Sequence, residues 1–87
     1  MLSKEVKVNN QSGLHARPAA EVSKLAAKFE SKIMIESQEK LINAKSIMAV
    51  MTSQIQGGSR IMLQIEGVDE REALVELSGL IEYGLSD

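Results

Sequence analysis

The segment at residues 60–67, RIMLQIEG, constrains the fold more strongly than any other part of the chain. Ile61, Leu63 and Ile65 occupy every second position, and this period of two predicts a β-strand with one buried face. Polar residues fill the intervening positions, with Met62 as the exception. A strand of this kind requires a sheet whose apolar face is covered by a second layer of structure.

Other segments supply the remaining elements. Patterning and turn residues predict three further strands, at residues 2–8, 32–37 and 41–43. They also predict three helices: one over residues 16–28, a short one within 44–55, and one that follows Asp69. The order β-α-β-β-α-β-α indicates an α+β fold, in which helices cover one face of a four-stranded antiparallel sheet.

The predicted helices begin at residues that suit such positions. Pro18 fits a first helical turn, where its missing N–H would have no partner in any case. Ser46 precedes an apolar cluster and is expected to be an N-cap. Asp69 is followed three residues later by Glu72, which predicts a capping box at the start of the last helix.

Length and composition limit the possible functions. The 87 residues predict one domain, spanning residues 1–87, with a single modest core. The absence of cysteine excludes disulfides, thiolate zinc sites and a cysteine nucleophile. A net charge of −2 and two aromatic residues argue against nucleic-acid binding, including an RNA-binding α+β module. No signal peptide or membrane span is predicted, so we expect a cytoplasmic protein without membrane insertion.

The segment SGLHARPAAEV, residues 12–22, contains the only histidine and the only proline. The first N–H groups of a helix lack internal partners, and this positive end favours anions. A phosphoryl group on His15 could therefore accept hydrogen bonds from the backbone of Ala16 and Arg17 and from the Arg17 guanidinium. The residues alone leave open that His15 merely caps or precedes the helix. A metal site is disfavoured because there is no second histidine and no cysteine.

The predicted short helix also allows two interpretations. A phosphate on Ser46 would lie over unpaired N–H groups, whereas the simple alternative is an N-cap hydroxyl. Ile47, Met48 and Met51 could form one apolar patch, although residues at such spacing usually pack into the core. The residues alone do not decide between these alternatives.

Two motifs, SGLHARPAAEV at residues 12–22 and NAKSIMAVM at residues 43–51, together resemble the HPr family. These are the histidine-containing phosphocarrier proteins of the bacterial phosphoenolpyruvate-dependent sugar phosphotransferase system. The resemblance covers nearly the whole chain and includes EGVDEREAL, which opens the last helix. It implies an open-faced β-sandwich of four antiparallel strands with three helices on one side. It also implies a stoichiometric phosphoryl carrier rather than an enzyme, acting in sugar transport without a cofactor. The sequence leaves the oligomeric state open, and a monomer is the simplest expectation.

The resemblance assigns roles to three residues. His15 matches the histidine that accepts a phosphoryl group on Nδ1 from phospho-Enzyme I and passes it to sugar-specific IIA domains. Arg17 matches the arginine that stabilises the transferring phosphate. Ser46 matches the serine modified by HPr kinase/phosphorylase, whose product acts with a catabolite control transcription factor in carbon catabolite repression.

The resemblance also implies a docking surface for partner proteins. Part of the apolar patch of Ile47, Met48 and Met51 matches the face that contacts Enzyme I and IIA domains. Lys24 and Lys28 are most simply solvated, but in this family they can also meet acidic partners and speed encounter.

Three residues depart from the usual family pattern, and two related functions remain as alternatives. Ala49, Ser53 and Gln54 stand where glycine, leucine and glycine are frequent, which affects the packing of the short helix and the shape of the docking patch. One alternative is a regulatory homologue that acts mainly through Ser46 phosphorylation, although such homologues typically lack the histidine. The other is a nitrogen-branch phosphocarrier, in which the serine motif is usually altered.

Overall fold

The computed structural model describes residues 1–87 and has the predicted element order. Its strands are β1 (Leu2–Lys7), β2 (Lys32–Ser37), β3 (Lys40–Asn43) and β4 (Arg60–Glu66). Its helices are α1 (Ala16–Ala26), α2 (Ile47–Thr52) and α3 (Glu70–Gly79), and α3 continues into a π-helical turn at Leu80–Gly84. None of these helices has the length and apolar character that crossing a bilayer would require.

The four strands form one antiparallel sheet in the order β1-β4-β2-β3. Strand β4 lies between β1 and β2, where Ile61 pairs with Val6 and Leu63 pairs with Ile35. The alternation predicted for β4 is confirmed, because Ile61, Leu63 and Ile65 are all buried. The predicted α+β fold with a four-stranded antiparallel sheet is therefore confirmed.

One apolar core holds the helices against the sheet. It contains nineteen buried residues, drawn from every strand, every helix and several loops. Helix α1 contributes Ala19, Val22 and Ala26, and α3 contributes Ala73 and Leu77. These residues recur at spacings of three and four, which places them on one face of each helix.

The β2–β3 hairpin turn is one residue shorter than the gap at 38–40 between the strands predicted at 32–37 and 41–43. Gln38 and Glu39 alone form the loop, with φ angles of +51° and +67°, and β3 already begins at Lys40. Two successive positive φ angles match the twist of a two-residue hairpin, although Asn-Gly would adopt them with less strain.

The predicted capping box at the start of α3 is wrong. Asp69 occupies the N-cap position, but its side chain makes no hydrogen bond to the helix backbone. Its carboxylate instead accepts hydrogen bonds from the Glu30 N–H at 2.9 Å, the Ser31 N–H at 3.0 Å and the Ser31 hydroxyl. The pKa of Asp69 is consequently lowered, chiefly by the Ser31 hydroxyl and then by the Glu30 N–H. The distant donors prevail because together they offer the carboxylate three hydrogen bonds.

Candidate functional site

The β1–α1 loop is held against the α2–β4 loop by close backbone packing. Leu14 is buried, and its N–H donates to the carbonyl oxygen of Ile55 at 2.9 Å. Gly13 has a φ of +73°, and a Cβ there would overlap the Ile55 carbonyl oxygen and lie 2.7 Å from the nitrogen of Gly57. Only glycine combines this conformation with this close approach. The packing fixes the position from which α1 begins.

Asn10 secures the same loop from within. It is buried, and its Nδ2 donates to the carbonyl oxygens of Gly13 and Ser86, each at 2.9 Å. The α2–β4 loop packs closely against Asn10, because a Cβ at Gly57 would overlap the Asn10 carbonyl oxygen. Asn10 could not be identified from the sequence, since an asparagine in a polar loop has the same pattern as an ordinary turn residue. No periodicity in the sequence marks it as buried.

His15 is the N-cap residue of α1 and is exposed. Its backbone is extended, with φ −80° and ψ −163°, and its carbonyl oxygen accepts a hydrogen bond from the N–H of Ala19 at 2.7 Å. The imidazole itself does not cap the helix and forms no hydrogen bond within the protein. Both ring nitrogens are therefore free to meet an external group.

The first turn of α1 offers unpaired donors beside the imidazole. The N–H groups of Ala16 and Arg17 have no acceptor within the protein, and Pro18 has no N–H to offer. Ala16 and Arg17 are exposed, whereas Pro18 is buried and holds the turn against the core. Such a helix end can bind an anion through its N–H groups and its dipole.

Arg17 adds an unpaired positive charge to this end of the helix. Its guanidinium belongs to neither of the two ion pairs in the protein, which join Met1 to Glu70 and Arg60 to Glu5. Like His15, Arg17 lies on the exposed surface. His15, Ala16 and Arg17 therefore lie together at the exposed start of α1, which is where the sequence pattern placed them.

The site lies outside the surface depression along α3. That depression, of about 360 Å³, is lined by six residues, which include Val68 and Val75 but neither His15 nor Arg17. Open surface suits the exchange of a group between two proteins better than the enclosure of a small substrate.

Ser46 is the N-cap residue of α2, as predicted. Its Oγ accepts a hydrogen bond from the N–H of Ala49 at 3.2 Å, and its backbone is extended. Ser46 is half-buried. The neighbouring Lys45 donates from Nζ to the carbonyl oxygen of Phe29 at 2.7 Å and so ties the start of α2 to the segment after α1.

The apolar side chains of α2 divide between the core and the surface. Val50 is fully buried, whereas Ile47, Met48 and Met51 have exposed fractions of 46%, 63% and 37%. The interpretation that these three residues are core residues is therefore wrong. Lys24, in α1, and Lys28, two residues after the end of α1, are also exposed and form no ion pair.

The three residues that depart from the family pattern lie within α2 or directly after it. Ala49 is partly buried against the core. Ser53 is the C-cap, and its Oγ donates to the carbonyl oxygen of Val50 at 2.5 Å. Gln54 is exposed with a φ of +60°, a conformation that glycine adopts with less strain.

Comparisons with known proteins agree on one family. The family model described as "PTS HPr component phosphorylation site" matches residues 2–83. The HPr-like protein Crh of Halalkalibacterium halodurans is 48% identical over 82 residues, which cover 94% of this chain and 98% of that protein. Phosphocarrier protein HPr of Treponema pallidum is 44% identical over 82 residues, with coverage of 94% and 93%. The crystal structure of phosphocarrier protein HPr from Bacillus anthracis superposes with a TM-score of 0.89 at 42% identity, covering 93% of this chain and 96% of that one.

Proposed function

The chain belongs to the HPr family of phosphocarrier proteins, and we propose that it relays phosphoryl groups through His15 in sugar uptake. One observation carries this proposal: an exposed imidazole without hydrogen-bond partners stands beside the unpaired N–H groups of Ala16 and Arg17. The imidazole provides the nucleophile, and the helix end provides donors for the oxygens of the transferred group.

The proposed transfer exchanges one phosphorus–nitrogen bond for another. The Nδ1 lone pair of His15 forms a bond to phosphorus as the bond to the phosphohistidine of Enzyme I breaks, and the donor imidazole recovers its electron pair. A second exchange moves the group from His15 to a histidine of a IIA domain. Because the bond broken and the bond formed are of one type, each step is nearly thermoneutral and readily reversed.

The chain contributes position and positive charge to this exchange. The N–H groups of Ala16 and Arg17 and the guanidinium of Arg17 would donate hydrogen bonds to the phosphoryl oxygens. Phosphoryl transfer depends mainly on such positioning and charge stabilisation. The protein would complete a catalytic cycle only together with its partners, and so acts as a stoichiometric carrier rather than an enzyme.

We further propose how the partners bind. The exposed patch of Ile47, Met48 and Met51 would dock against Enzyme I and IIA domains, since methionine adapts to several surfaces. Lys24 and Lys28 would attract acidic partners. The protein would act as a cytoplasmic monomer, and its mass in solution tests the oligomeric state.

Ser46 supports a second, regulatory function. Phosphorylation there by HPr kinase/phosphorylase would add a charge of about −1.5 to −2 beside the docking patch. This charge would repel acidic partners and favour a basic one, such as a catabolite control transcription factor. The 48% identity with an HPr-like protein Crh favours this role as the main alternative function. Retention of the histidine favours phosphoryl transfer as the primary one.

A phosphotransfer assay tests the primary function. The protein is incubated with phosphoenolpyruvate and Enzyme I, and its intact mass is measured before and after brief acid treatment. We expect a gain of one phosphate that acid removes, because phosphohistidine is acid-labile, and no gain in His15→Ala. A folded wild-type protein that gains no phosphate, or a His15→Ala variant that still gains one, would contradict the assignment.

The regulatory function needs a separate assay with HPr kinase and ATP. We expect one acid-stable phosphate on the wild-type protein and none on Ser46→Ala. An acid-stable phosphate that persists in Ser46→Ala would place the modification on another residue.

A further inference from the structure

The C-terminal segment, Leu85–Asp87, is tied by hydrogen bonds to the loop that precedes α1. The carbonyl oxygen of Ser86 accepts a hydrogen bond from Nδ2 of Asn10 at 2.9 Å. The carboxylate of Asp87 accepts one from the N–H of Gln11 at 2.6 Å. The C-terminal segment is thus held against the loop that leads into α1.

The same segment binds the carboxylate of Glu21 on α1. The N–H of Ser86 donates to Oε1 of Glu21 at 3.0 Å, and the Ser86 hydroxyl donates to Oε2 at 2.7 Å. One residue therefore satisfies both oxygens of the carboxylate. These hydrogen bonds join residues 65 positions apart in the chain.

Glu21 is also the natural partner of Arg17. It follows Arg17 by four residues in α1, and oppositely charged residues at this spacing commonly form ion pairs. The two side chains are close enough for the charge of Arg17 to lower the pKa of Glu21, after the larger effects of the Ser86 N–H and hydroxyl. Nevertheless, they form no ion pair. The carboxylate points its oxygens at Ser86 instead.

We propose that Ser86 is a positioning residue for phosphoryl transfer, because it holds the Glu21 carboxylate and leaves the Arg17 guanidinium free for the phosphoryl oxygens. The inference rests on the proposed roles of His15 and Arg17. It deepens that proposal by identifying two anions, the carboxylate and the phosphoryl group, that compete for one guanidinium. Ser86 weakens the carboxylate as a competitor.

Three substitutions at Ser86 separate its two donors. Ser86→Ala removes the hydroxyl, Ser86→Pro removes both the hydroxyl and the N–H, and Ser86→Thr keeps both. Leu85 has φ −74° and ψ 139°, a conformation that a residue preceding proline prefers, so proline does not force Leu85 to change. The three variants therefore retain two, one or no hydrogen-bond donors to Glu21, and none of them introduces a charge.

The expected effect on transfer is small and ordered. Exposed ion pairs at this spacing shift a population by about twofold, so Ser86→Pro should lower the kcat for transfer from phospho-Enzyme I by about twofold. Ser86→Ala should lower it less, and Ser86→Thr should restore it. The KM for phospho-Enzyme I should not change, because the docking patch of Ile47, Met48 and Met51 is untouched.

A double-mutant comparison shows whether the effect passes through Glu21. In a Glu21→Gln background the competing charge is absent, so adding Ser86→Pro should no longer lower kcat. The matched control is Glu72→Gln, which removes a charge from an exposed residue of α3, and in that background Ser86→Pro should keep its full effect. An equal loss in both backgrounds would overturn the inference, as would wild-type kcat in both Ser86→Ala and Ser86→Pro.

A spectroscopic measurement tests the inference without any phosphoryl transfer. The Nε–H signal of Arg17 in the unphosphorylated protein should shift, and exchange more slowly with water, when Ser86→Pro lets Glu21 pair with it. The signal should return to its wild-type position in Glu21→Gln/Ser86→Pro. An Arg17 signal that Ser86→Pro leaves unchanged would overturn the inference. Failure of the wild-type protein to accept phosphate would instead contradict the proposed function. The Arg17 signal would still show whether Ser86 keeps Glu21 from pairing with Arg17.

Discussion

The carboxylate of Asp69, at the start of α3, accepts hydrogen bonds from both the N–H and the hydroxyl of Ser31, just before β2. Gly67 packs against the same serine, since a Cβ at Gly67 would lie 2.6 Å from the Cα of Ser31. This contact fixes where α3 leaves the sheet. It also makes the stability of the protein depend on an ionised carboxylate.

Asp69→Asn is expected to destabilise the protein at neutral pH. The pKa of Asp69 is lowered in the folded state, so its contribution is complete above its unfolded pKa of about 3.9 and is lost as pH falls through the folded value. Urea unfolding should therefore give a lower midpoint for Asp69→Asn at pH 7, with the difference shrinking below about pH 4. Glu72→Gln is the control without such partners. A difference that is the same at pH 3 and pH 7 would contradict this account.

Gly13→Ala should cost more stability than Gly58→Ala. Both glycines have positive φ, at +73° and +87°, but a Cβ at Gly58 meets no atom within 4 Å, whereas one at Gly13 overlaps the Ile55 carbonyl oxygen. We expect the free energy of unfolding, measured in urea, to fall by about 1 kcal/mol for Gly58→Ala and by about 2 kcal/mol or more for Gly13→Ala. Only Gly13→Ala should also slow phosphorylation, because it displaces the start of α1. Equal losses in the two variants would refute the importance of the close approach.

Replacing Gln38 and Glu39 together by Asn and Gly should stabilise the protein. Both residues have positive φ in a two-residue hairpin turn, and Asn-Gly adopts this turn with the least strain. We expect a gain of about 1 kcal/mol, equivalent to a rise in Tm of about 4–8 °C. Thermal unfolding measures it, and phosphorylation should be unaffected. A lower Tm would show that the side chains of Gln38 and Glu39 stabilise the protein by more than the strain of their positive φ angles costs.

Arg17→Lys should transfer phosphate more slowly than the wild-type protein, although the charge is kept. Lysine provides a point charge and lacks the planar fork that can bind two phosphoryl oxygens. We expect kcat to fall roughly tenfold for Arg17→Lys and about 100-fold for Arg17→Ala, by rapid-quench measurement. The free energy of unfolding of both variants should lie within about 0.5 kcal/mol of the wild-type value, because Arg17 is exposed. A wild-type kcat in Arg17→Ala would show that Arg17 does not stabilise the transferred phosphoryl group.

Met48→Asp should weaken docking to Enzyme I without unfolding the protein. Met48 has an exposed fraction of 63%, and a carboxylate there would be buried without a partner in an apolar contact. The KM for phospho-Enzyme I should rise roughly fivefold or more. Leu41→Asp, at a residue with an exposed fraction of 60% on the open face of the sheet, is the matched control and should leave KM unchanged. An equal rise in both variants would argue against a specific docking surface on α2.

Much of the fold was predictable because its signals are local. The alternation of Ile61, Leu63 and Ile65 identified a one-sided strand, and helical spacing located α1 within two residues of its observed end. The clustering of His15 with Arg17 was also predictable, since both lie at the start of one helix. Each of these inferences uses residues within a few positions of one another.

Local patterns along the chain were enough to predict the strands and helices, their order and the chemical groups at the start of α1. Three features could be seen only in the folded protein: Asp69 binds Ser31 rather than its own helix, Asn10 is buried, and Glu21 binds Ser86 rather than Arg17. In each case a polar side chain had a local partner or solvent available, and a distant donor offered hydrogen bonds that matched it better. Such choices depend on where the packed core places the donors, and no local period in the chain records that position.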